Sequence, residues 1–458
     1  VGEGNQLPFY VMKSNGGVIS ADEVVHQPIT TVLSGPAAGA LGAALISQQA
    51  GFDKVLTLDG GGTSTDVTVV IDGEPSLTTE GSIGNFPTKV PMIDVVTVGA
   101  GGGSIAHLAP DGTMKVGPKS AGADPGPICY DNGGREVTVT DAHVFLGRIP
   151  PHLLGGEIPL NVDAAAEAIS ELAQALGISP LACATGILEI SAWHQANALR
   201  EITVKRGLDV REFTLTTFGG SGSLLACRLM DILDIDTVVV PLNPGNLSAF
   251  GLLTVDIRND YVQTQVSLHD ILDLTAASNL FRGLTQKAAH ALSLEGFDPS
   301  EHHFQRSADL RYFGQAFEVR VPVPEGPFTQ EVADQVADSF HEAHRALYGY
   351  DFKGDPDQHV EWVNFRVTGV GYIQRPELTP EPLGDGTLTE PTTTRAVCFD
   401  ADIGPVETAV WGRMDLQPGV RFTGPAIVEE FGATIPIHPG FTVVVDEHRN
   451  LILTREGA

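Results

Sequence analysis

Residues 54–70 read "KVLTLDGGGTSTDVTVV". An apolar run enters three consecutive glycines, Gly60, Gly61 and Gly62, and leaves through a cluster of hydroxyl residues into a second apolar run. Both runs are rich in β-branched residues, so the stretch predicts two strands of a hairpin bent at its glycines. A Walker A loop is excluded, because it needs a lysine and a following helix; a dinucleotide fingerprint also opens a helix. Two readings remain. One is an ordinary tight turn whose hydroxyls satisfy one another. The other is a phosphate clamp, in which Gly61 and Gly62 allow close backbone approach and the amides beside Thr63, Ser64 and Thr65 converge on phosphoryl oxygens. In the clamp Asp59 holds Mg²⁺ directly or through water, and Asp66 orients a water or fixes a threonine hydroxyl.

The flanking sequence places this hairpin in an α/β domain. Upstream, "TVLSGPAAGALGAALISQ" (31–48) predicts a helix capped by Ser34, with Pro36 in its first turn. Its small residues from Ala37 to Ala43 leave room for something to pack very close. Downstream, 95–134 is too dense in Gly and Pro for long elements and reads as short strands and tight loops folded over a site. A helix follows, capped by Asn161 and ended by Gly177, with Ile169, Leu172, Ala173 and Leu176 on its apolar face; another spans 182–204. "FTLTTFGGSGSLLACRLMDILDIDTVVVP" (213–241) then repeats the theme of strand, glycine turn, helix and strand. Gly219, Gly220 and Gly222 lead into a helix expected to begin near Ser221, whose free amides suit an anion or an adenosine. Two such loops in one domain favour the clamp, since a nucleotide lying in a cleft needs both.

Composition bounds the partners. The chain has 458 residues, with 27 Lys and Arg against 57 Asp and Glu, a formal charge of -30. That surface repels nucleic acid and anionic membranes, so an anionic ligand must be held locally by amides or a metal. Cys129, Cys183, Cys227 and Cys398 form no CxxC pair, which argues against a zinc knuckle or disulfide framework and suits a reducing cytoplasm. No 18-residue apolar span or signal peptide is apparent. The first residue is Val1, as expected of a chain cut or processed from a longer polypeptide, or of an expressed piece. The expected organisation is an α/β domain over 1–260, a helical connector over 261–300, and a β-rich domain with one packed helix over 301–458.

Several stretches together make the reading specific: "LSGPAAGALGA" (33–43), "DGGGTSTDV" (59–67), "VGAGGGSIA" (98–106), "GPKSAGADPGPICY" (117–130), "FGGSG" (218–222), "VPLNPGNLSAFGLL" (240–253), "DLRYFGQAFEV" (309–319) and "GPAIVEEF" (424–431). In this order they resemble the hydantoinase A / 5-oxoprolinase family, which includes nucleotide-binding subunits of ketone carboxylases. The resemblance implies an actin- and hexokinase-like ATPase lobe followed by a β-rich domain, with ATP and Mg²⁺ (or Mn²⁺) as cofactors. It places Asp59 to Asp66 as the second phosphate hairpin of such a lobe and 218–222 as the adenosine loop. It implies an ATP-dependent amidohydrolase subunit that phosphorylates and opens a hydantoin, lactam or 5-oxoproline-like ring. The alternatives are the ATPase subunit of a ketone carboxylase or a non-catalytic scaffold. The implied partner is a larger subunit of hydantoinase B type; the N-terminal lobe is expected either on a separate chain, or removed, or dispensed with in a molecule that no longer hydrolyses ATP.

Three departures qualify that picture. The family's first glycine hairpin would lie in an N-terminal lobe, and no such hairpin precedes Gly35. Ser223 and Leu225 stand where the family commonly has proline and histidine. Gly60 stands where methionine is usual, which is expected to loosen the clamp. Among other candidates, His107 could line the substrate side of the cleft, although "GAGGGSIAH" reads better as a crossing where backbones touch. Asp94 and Asp124 read as turn-capping residues, His194 as a packed or partly exposed histidine, and Glu429 and Glu430 as surface. Adjacent His302 and His303 point to opposite faces of a strand and make a poor metal pair.

Overall fold

A computed structural model describes residues 9–78, 81–83, 86–88, 90–376 and 378–456. Contacts divide the chain into two compact units. The larger takes Ser14–Gly16, Leu33–Thr254 and the residues from Pro376 onward; the smaller takes Gly17–Val32 and Val255–Arg375 together with residues 9–13.

The larger unit is built on one mixed sheet. Its strands β1 (Lys54–Gly60), β2 (Thr65–Ile71), β3 (Val96–Val98), β4 (Thr214–Phe218), β5 (Thr237–Val240), β6 (Arg421–Thr423), β7 (Phe441–Val445) and β8 (Leu451–Arg455) lie in the order β3-β2-β1-β4-β5-β8-β7-β6. β1 pairs antiparallel with β2, while β4 runs parallel to both β1 and β5. Val55, Leu56, Leu58, Val67, Val69 and Val70 are all buried because both faces of the sheet are covered, which is why these strands read as unbroken apolar runs.

Two sets of helices cover the sheet. On one side, Leu56, Leu58, Val67 and Val69 share a core with residues of α3 (Val162–Leu176) and α4 (Pro180–Val204). Asn161 and Ser179 cap these helices, accepting from Ala164 N at 3.0 Å and Ala182 N at 3.1 Å, and Gly177 closes α3 in the left-handed region. The same core takes in α5 (Ala226–Leu233) and the capping-box helix α2 (Val139–Phe145). On the other side Val55 and Val70 meet Ala44 of α1 (Ser34–Gln49). The close neighbour expected of α1 is α6 (Leu247–Leu252): a Cβ added to Gly251 would lie 1.9 Å from the Ala38 carbonyl oxygen. Leu33, in the left-handed region, occupies the position before α1, so Ser34 begins the helix rather than capping it.

The smaller unit has Val360–Gly371 as a central strand, between Ile257–Leu268 and His302–Tyr312, with Val319–Val323 at the edge. Helices Leu274–Leu294 and Gln330–Tyr348 contribute to its core around Phe281, Tyr312, Phe340, Trp362 and Phe365.

This division differs from the one read along the sequence, at 260 and 300. The helix expected as a connector belongs to the smaller unit, and the C-terminal β-rich stretch returns to the larger one. The physical reason is edge pairing: β8 hydrogen-bonds antiparallel to β5, so residues 451–454 complete a sheet begun four hundred positions earlier. The four-stranded sheet of Thr393–Cys398, Pro405–Gly412, Ala426–Glu430 and Ala433–Ile437 also contributes Cys398, Trp411, Val428 and Ile435 to the larger unit's core. Among the described residues no single helix is long and apolar enough to cross a membrane; α3 and α4 reach that length and apolarity only as a pair bent by 90°.

Candidate functional site

The hairpin of β1 and β2 turns through Gly61, Gly62, Thr63 and Ser64, and the Gly61 amide closes the turn on the Ser64 carbonyl at 2.9 Å. Register places Asp59 opposite Asp66, so the two carboxylates share one face at the turn end of the hairpin. The Asp59 carboxylate accepts from the Ser248 hydroxyl of α6 at 3.3 Å, and Asp66 accepts from the Thr97 hydroxyl of β3. Burial and the facing Asp66 push the Asp59 pKa up to about 6, with the Ser248 bond opposing. Burial raises Asp66 as well, against the Thr97 bond. Two half-buried carboxylates with raised pKa values form a site whose repulsion a cation would relieve.

The second glycine loop rests directly on this turn. Phe218 at the end of β4 is the register partner of Asp59. The Ser221 amide donates to the Gly60 carbonyl at 2.9 Å, and its hydroxyl to the Gly61 carbonyl at 2.8 Å. A Cβ on Gly60 would lie 2.4 Å from Gly222 Cα and N, so glycine there permits the two backbones to touch rather than loosening the turn. Gly219, at φ +78°, keeps the Asp59 carboxylate uncovered: an added Cβ would strike Asp59 Oδ1 at 2.4 Å. The loop enters a 3₁₀ turn over Gly222–Leu225 before α5 begins, so the expected helix start at Ser221 is displaced. The amides of Gly219 and Ser221 already bond Pro244 and Gly60, which leaves less of that loop to meet an anion than its sequence suggested.

A third glycine segment backs the turn. The Gly102 and Gly103 amides donate to the Gly61 and Gly62 carbonyls at 3.1 and 2.6 Å, and an added Cβ on Gly101 would lie 2.7 Å from Thr63 backbone atoms. This is the backbone crossing read from "GAGGGSIAH"; His107 is exposed beyond it. Thr140, at the start of α2, holds the Gly102 carbonyl through both its amide and its hydroxyl. The turn's carbonyls therefore face protein donors. Among the described residues, the amides of Gly62, Thr63 and Ser64 take no protein acceptor. A Cβ on Gly62 would meet nothing within 4 Å, so the tip opens outward.

The three hydroxyls after the glycines separate in role. Thr63 is exposed and Ser64 half-buried, but Thr65 is fully buried and donates to the Ala100 carbonyl at 2.7 Å. Its side chain therefore braces the glycine segment and does not reach a ligand. Gln195 of α4, 2% exposed, donates to both Thr65 Oγ1 at 3.2 Å and the Ala100 carbonyl at 3.1 Å. Gln195, Thr97 and Ser248 were not singled out from sequence. The available signal was a polar side chain inside an apolar helix for Gln195 and membership of "VPLNPGNLSAFGLL" for Ser248.

Beside the turn lies a cavity of about 320 Å³ bordered by Gly62, Gly102, Gly220 and Ser221, with Leu224 and Phe431 among its apolar walls. Glu430 also lines it and accepts from the Asn243 amide at 3.0 Å, while Glu429 accepts from Arg395; neither is the free surface carboxylate expected. The structure does not bring the remaining candidates to the turn. Asp94 pairs with Arg206 at 2.6 Å, Asp124 is exposed in a turn, and burial lowers the pKa of half-buried His194. His302 bonds the Phe297 carbonyl at 3.2 Å.

Comparison with known proteins finds likeness over nearly the whole chain. The hydantoinase/oxoprolinase family model matches residues 2–261, and the hydantoinase/oxoprolinase C-terminal domain model matches 271–456. The alpha subunit of caprolactamase from Pseudomonas jessenii is 35% identical over 98% of the chain. The crystal structure of the ATP-dependent caprolactamase from that organism covers 98% of the chain at a TM-score of 0.83 and 33% identity. A nucleotide-free acetone carboxylase structure does so at 0.84 and 26% identity. The α/β lobe followed by β-rich sheets is common to all three. The chain spans 65% of the caprolactamase subunit's length and 65–66% of the two solved chains.

Proposed function

Because the chain belongs to the hydantoinase/oxoprolinase family, we propose that it is the nucleotide-binding part of an ATP-dependent amidohydrolase that phosphorylates and opens a lactam, hydantoin or 5-oxoproline-like ring. The observation that carries this reading is the outward turn at Gly61–Ser64, with unengaged amides beside the Asp59–Asp66 pair. Amides of Gly62, Thr63 and Ser64 would take phosphate oxygens, and the nucleoside would lie against Gly220 in the adjoining cavity, whose 320 Å³ suits a ligand of that size, with Gly219 and Gly222 packed behind it on Asp59 and Gly60. The lactam is favoured within the ring class by likeness to the caprolactamase subunit.

The donor set fits Mg²⁺, or Mn²⁺. Asp59 would hold the ion with Asp66 beside it, and the ion's charge would offset the cost of keeping both buried carboxylates ionised. Among the described residues no three His, Cys, Asp or Glu side chains converge on one point, so an ion there would draw other ligands from water and phosphate. Bound at Asp59, the metal supplies charge neutralisation on the phosphoryl oxygens. The chain's own contribution is positioning: the braced turn fixes the amides, and Asp66 orients a water or a hydroxyl near the phosphates. A ring amide is a weak electrophile, and phosphorylating its oxygen creates a good leaving group.

Likeness to acetone carboxylase supports a second reading, in which the same ATP chemistry serves carboxylation of a ketone. A larger subunit of hydantoinase B type, and a lobe facing this turn from the other side of the nucleotide, complete the assembly in either case. Phosphate release from ATP, measured with caprolactam, hydantoin and 5-oxoproline in turn, and with acetone plus bicarbonate, divides the readings when repeated with the second subunit. Stimulation by a ring substrate is the expected result. Stimulation only by ketone plus bicarbonate would establish the carboxylase, and absence of both nucleotide binding and turnover in the complete assembly would leave a scaffold.

A further inference from the structure

A second cavity in the larger unit, of about 570 Å³, has the guanidinium of Arg148 in its wall together with Thr185, Phe399 and His438. Arg148 is 3% exposed. Its Nε and Nη2 donate to the carbonyls of Cys398 and Phe399 at 3.0 and 2.9 Å, and among the described residues no carboxylate lies within ion-pair distance of it. A buried guanidinium without a counter-charge is costly, and two carbonyl acceptors leave its charge uncompensated. We propose that this cavity binds a small oxyanion, phosphate or carboxylate, with Arg148 as its counter-charge and His438 beside it.

The wall also carries Glu189, Asp231, Asp400 and Asp402. Arg228 holds Glu189 through two bonds of 2.6 Å and has Asp231 at 3.7 Å, Asp400 accepts from the Asp402 amide at 2.8 Å, and Asp402 is exposed. At the inner end, burial first, then Arg148 and Arg228, hold His438 well below the ordinary histidine range. A neutral imidazole there offers one N–H to an oxyanion. Burial pushes Arg148 itself down to about 10, and the groups that oppose the shift are the thiols of Cys398 and Cys227, not carboxylates. Phe399 packs between the two groups of the cavity, 5.8 Å from the guanidinium carbon and 5.0 Å from the His438 ring, so the inner end is shaped as well as charged.

The test is thermal unfolding of the full chain in rising sodium phosphate or sodium acetate, with sodium chloride holding ionic strength constant. Wild type should gain about 2–4 °C at saturation. Arg148→Gln should lose that gain, and so should Thr185→Glu, which tethers a carboxylate in the same cavity. Lys353→Gln, an exposed cation of the smaller unit, should keep it. Response to phosphate alone or to acetate alone identifies which oxyanion the cavity selects. Crystals soaked in sodium tungstate should show anomalous density within hydrogen-bonding reach of Arg148. An unchanged gain in Arg148→Gln, or tungstate density only at the hairpin, would overturn the proposal. If Arg148→Gln does not fold, Thr185→Glu decides, and an undiminished phosphate response in that variant overturns it equally.

Discussion

Asp59 is held under two opposed demands. Its carboxylate faces Asp66 at the end of a half-buried hairpin, and its pKa of about 6 records the strain of remaining charged there. An acid whose folded pKa exceeds its unfolded value binds its proton more tightly when folded. The chain is therefore most stable with respect to this group below the ordinary carboxylate range, and stability falls as pH rises from about 4 through 6. The shift corresponds to at most about 3 kcal/mol, less after solvent screening. Asp59→Asn removes the charge and can keep the Ser248 contact. In urea titrations it should be more stable than wild type at pH 8, with the difference vanishing near pH 4. Its Mg²⁺-dependent ATP turnover in the complete assembly should fall by about 100-fold or more. Undiminished turnover would show that Asp59 does not hold the metal. Gln195 poses the complementary case, a side chain that touches no ligand and braces those that do. Gln195→Leu removes the donor shared by Thr65 and Ala100, so a loss of about 1–3 kcal/mol in urea unfolding is expected. The pairing of Asp59 with Asp66 was legible in the sequence, because a hairpin bent at its glycines sets those two positions opposite each other. Gln195 was not, because a glutamine in an apolar helix does not say which carbonyl it faces. The difference between Thr63 and Thr65 was hidden for a related reason: Thr63 stays in the exposed turn, whereas Thr65 opens β2 and is buried against Ala100 and Gln195, partners distant in sequence.

At the scale of elements, the working part is a stack of three glycine segments, 60–62, 99–103 and 219–222, in backbone contact. Glycine has different duties along it. Gly60 lets the Ser221–Gly222 backbone approach within contact distance, whereas nothing lies near the Cβ position of Gly62. Alanine should separate the two roles. Gly60→Ala must displace a neighbouring backbone and should cost about 3 kcal/mol or more, seen as a large fall in the unfolding midpoint. Gly62→Ala should leave that midpoint within about 0.5 kcal/mol of wild type. Its added methyl projects where phosphate would approach, so nucleotide affinity measured by calorimetry should fall in the complete assembly. Equal affinity in Gly62→Ala and wild type would return the turn to an ordinary hairpin. The hairpin itself, the capped helices α3 and α4, and the close packing on α1 were all readable, because each has a local signature. The 3₁₀ turn at Gly222–Leu225 was not: the Ser221 amide is drawn to Gly60, a partner 161 residues away, and no local pattern encodes that bond.

At the scale of the whole molecule, the sequence changes texture near 261, and that change is real: it marks entry into the smaller unit. What the texture could not disclose is the return. β6, β7 and β8 read as generic short strands, and only their pairing assigns them to the sheet that carries the hairpin. The consequence is a sharp prediction about truncation. A chain ending at Arg375 loses β6, β7, β8 and the four-stranded sheet, and β5 becomes an uncovered edge with Val238, Val239 and Val240 deprived of their neighbours. The larger unit should then lose its cooperative transition, and nucleotide binding should go with it. The smaller unit closes its own sheet and core before residue 376 and should persist. Trp362 is fully buried there, so in a truncated chain that also carries Trp193→Phe, its fluorescence reports that unit alone. A blue-shifted Trp362 signal with a retained midpoint, beside a broad, non-cooperative far-UV transition for the remainder, is the expected pattern. If instead the truncated chain unfolds in one sharp transition at the wild-type midpoint, the hairpin's sheet is complete without its C-terminal strands, and the division at 260 would be the correct one.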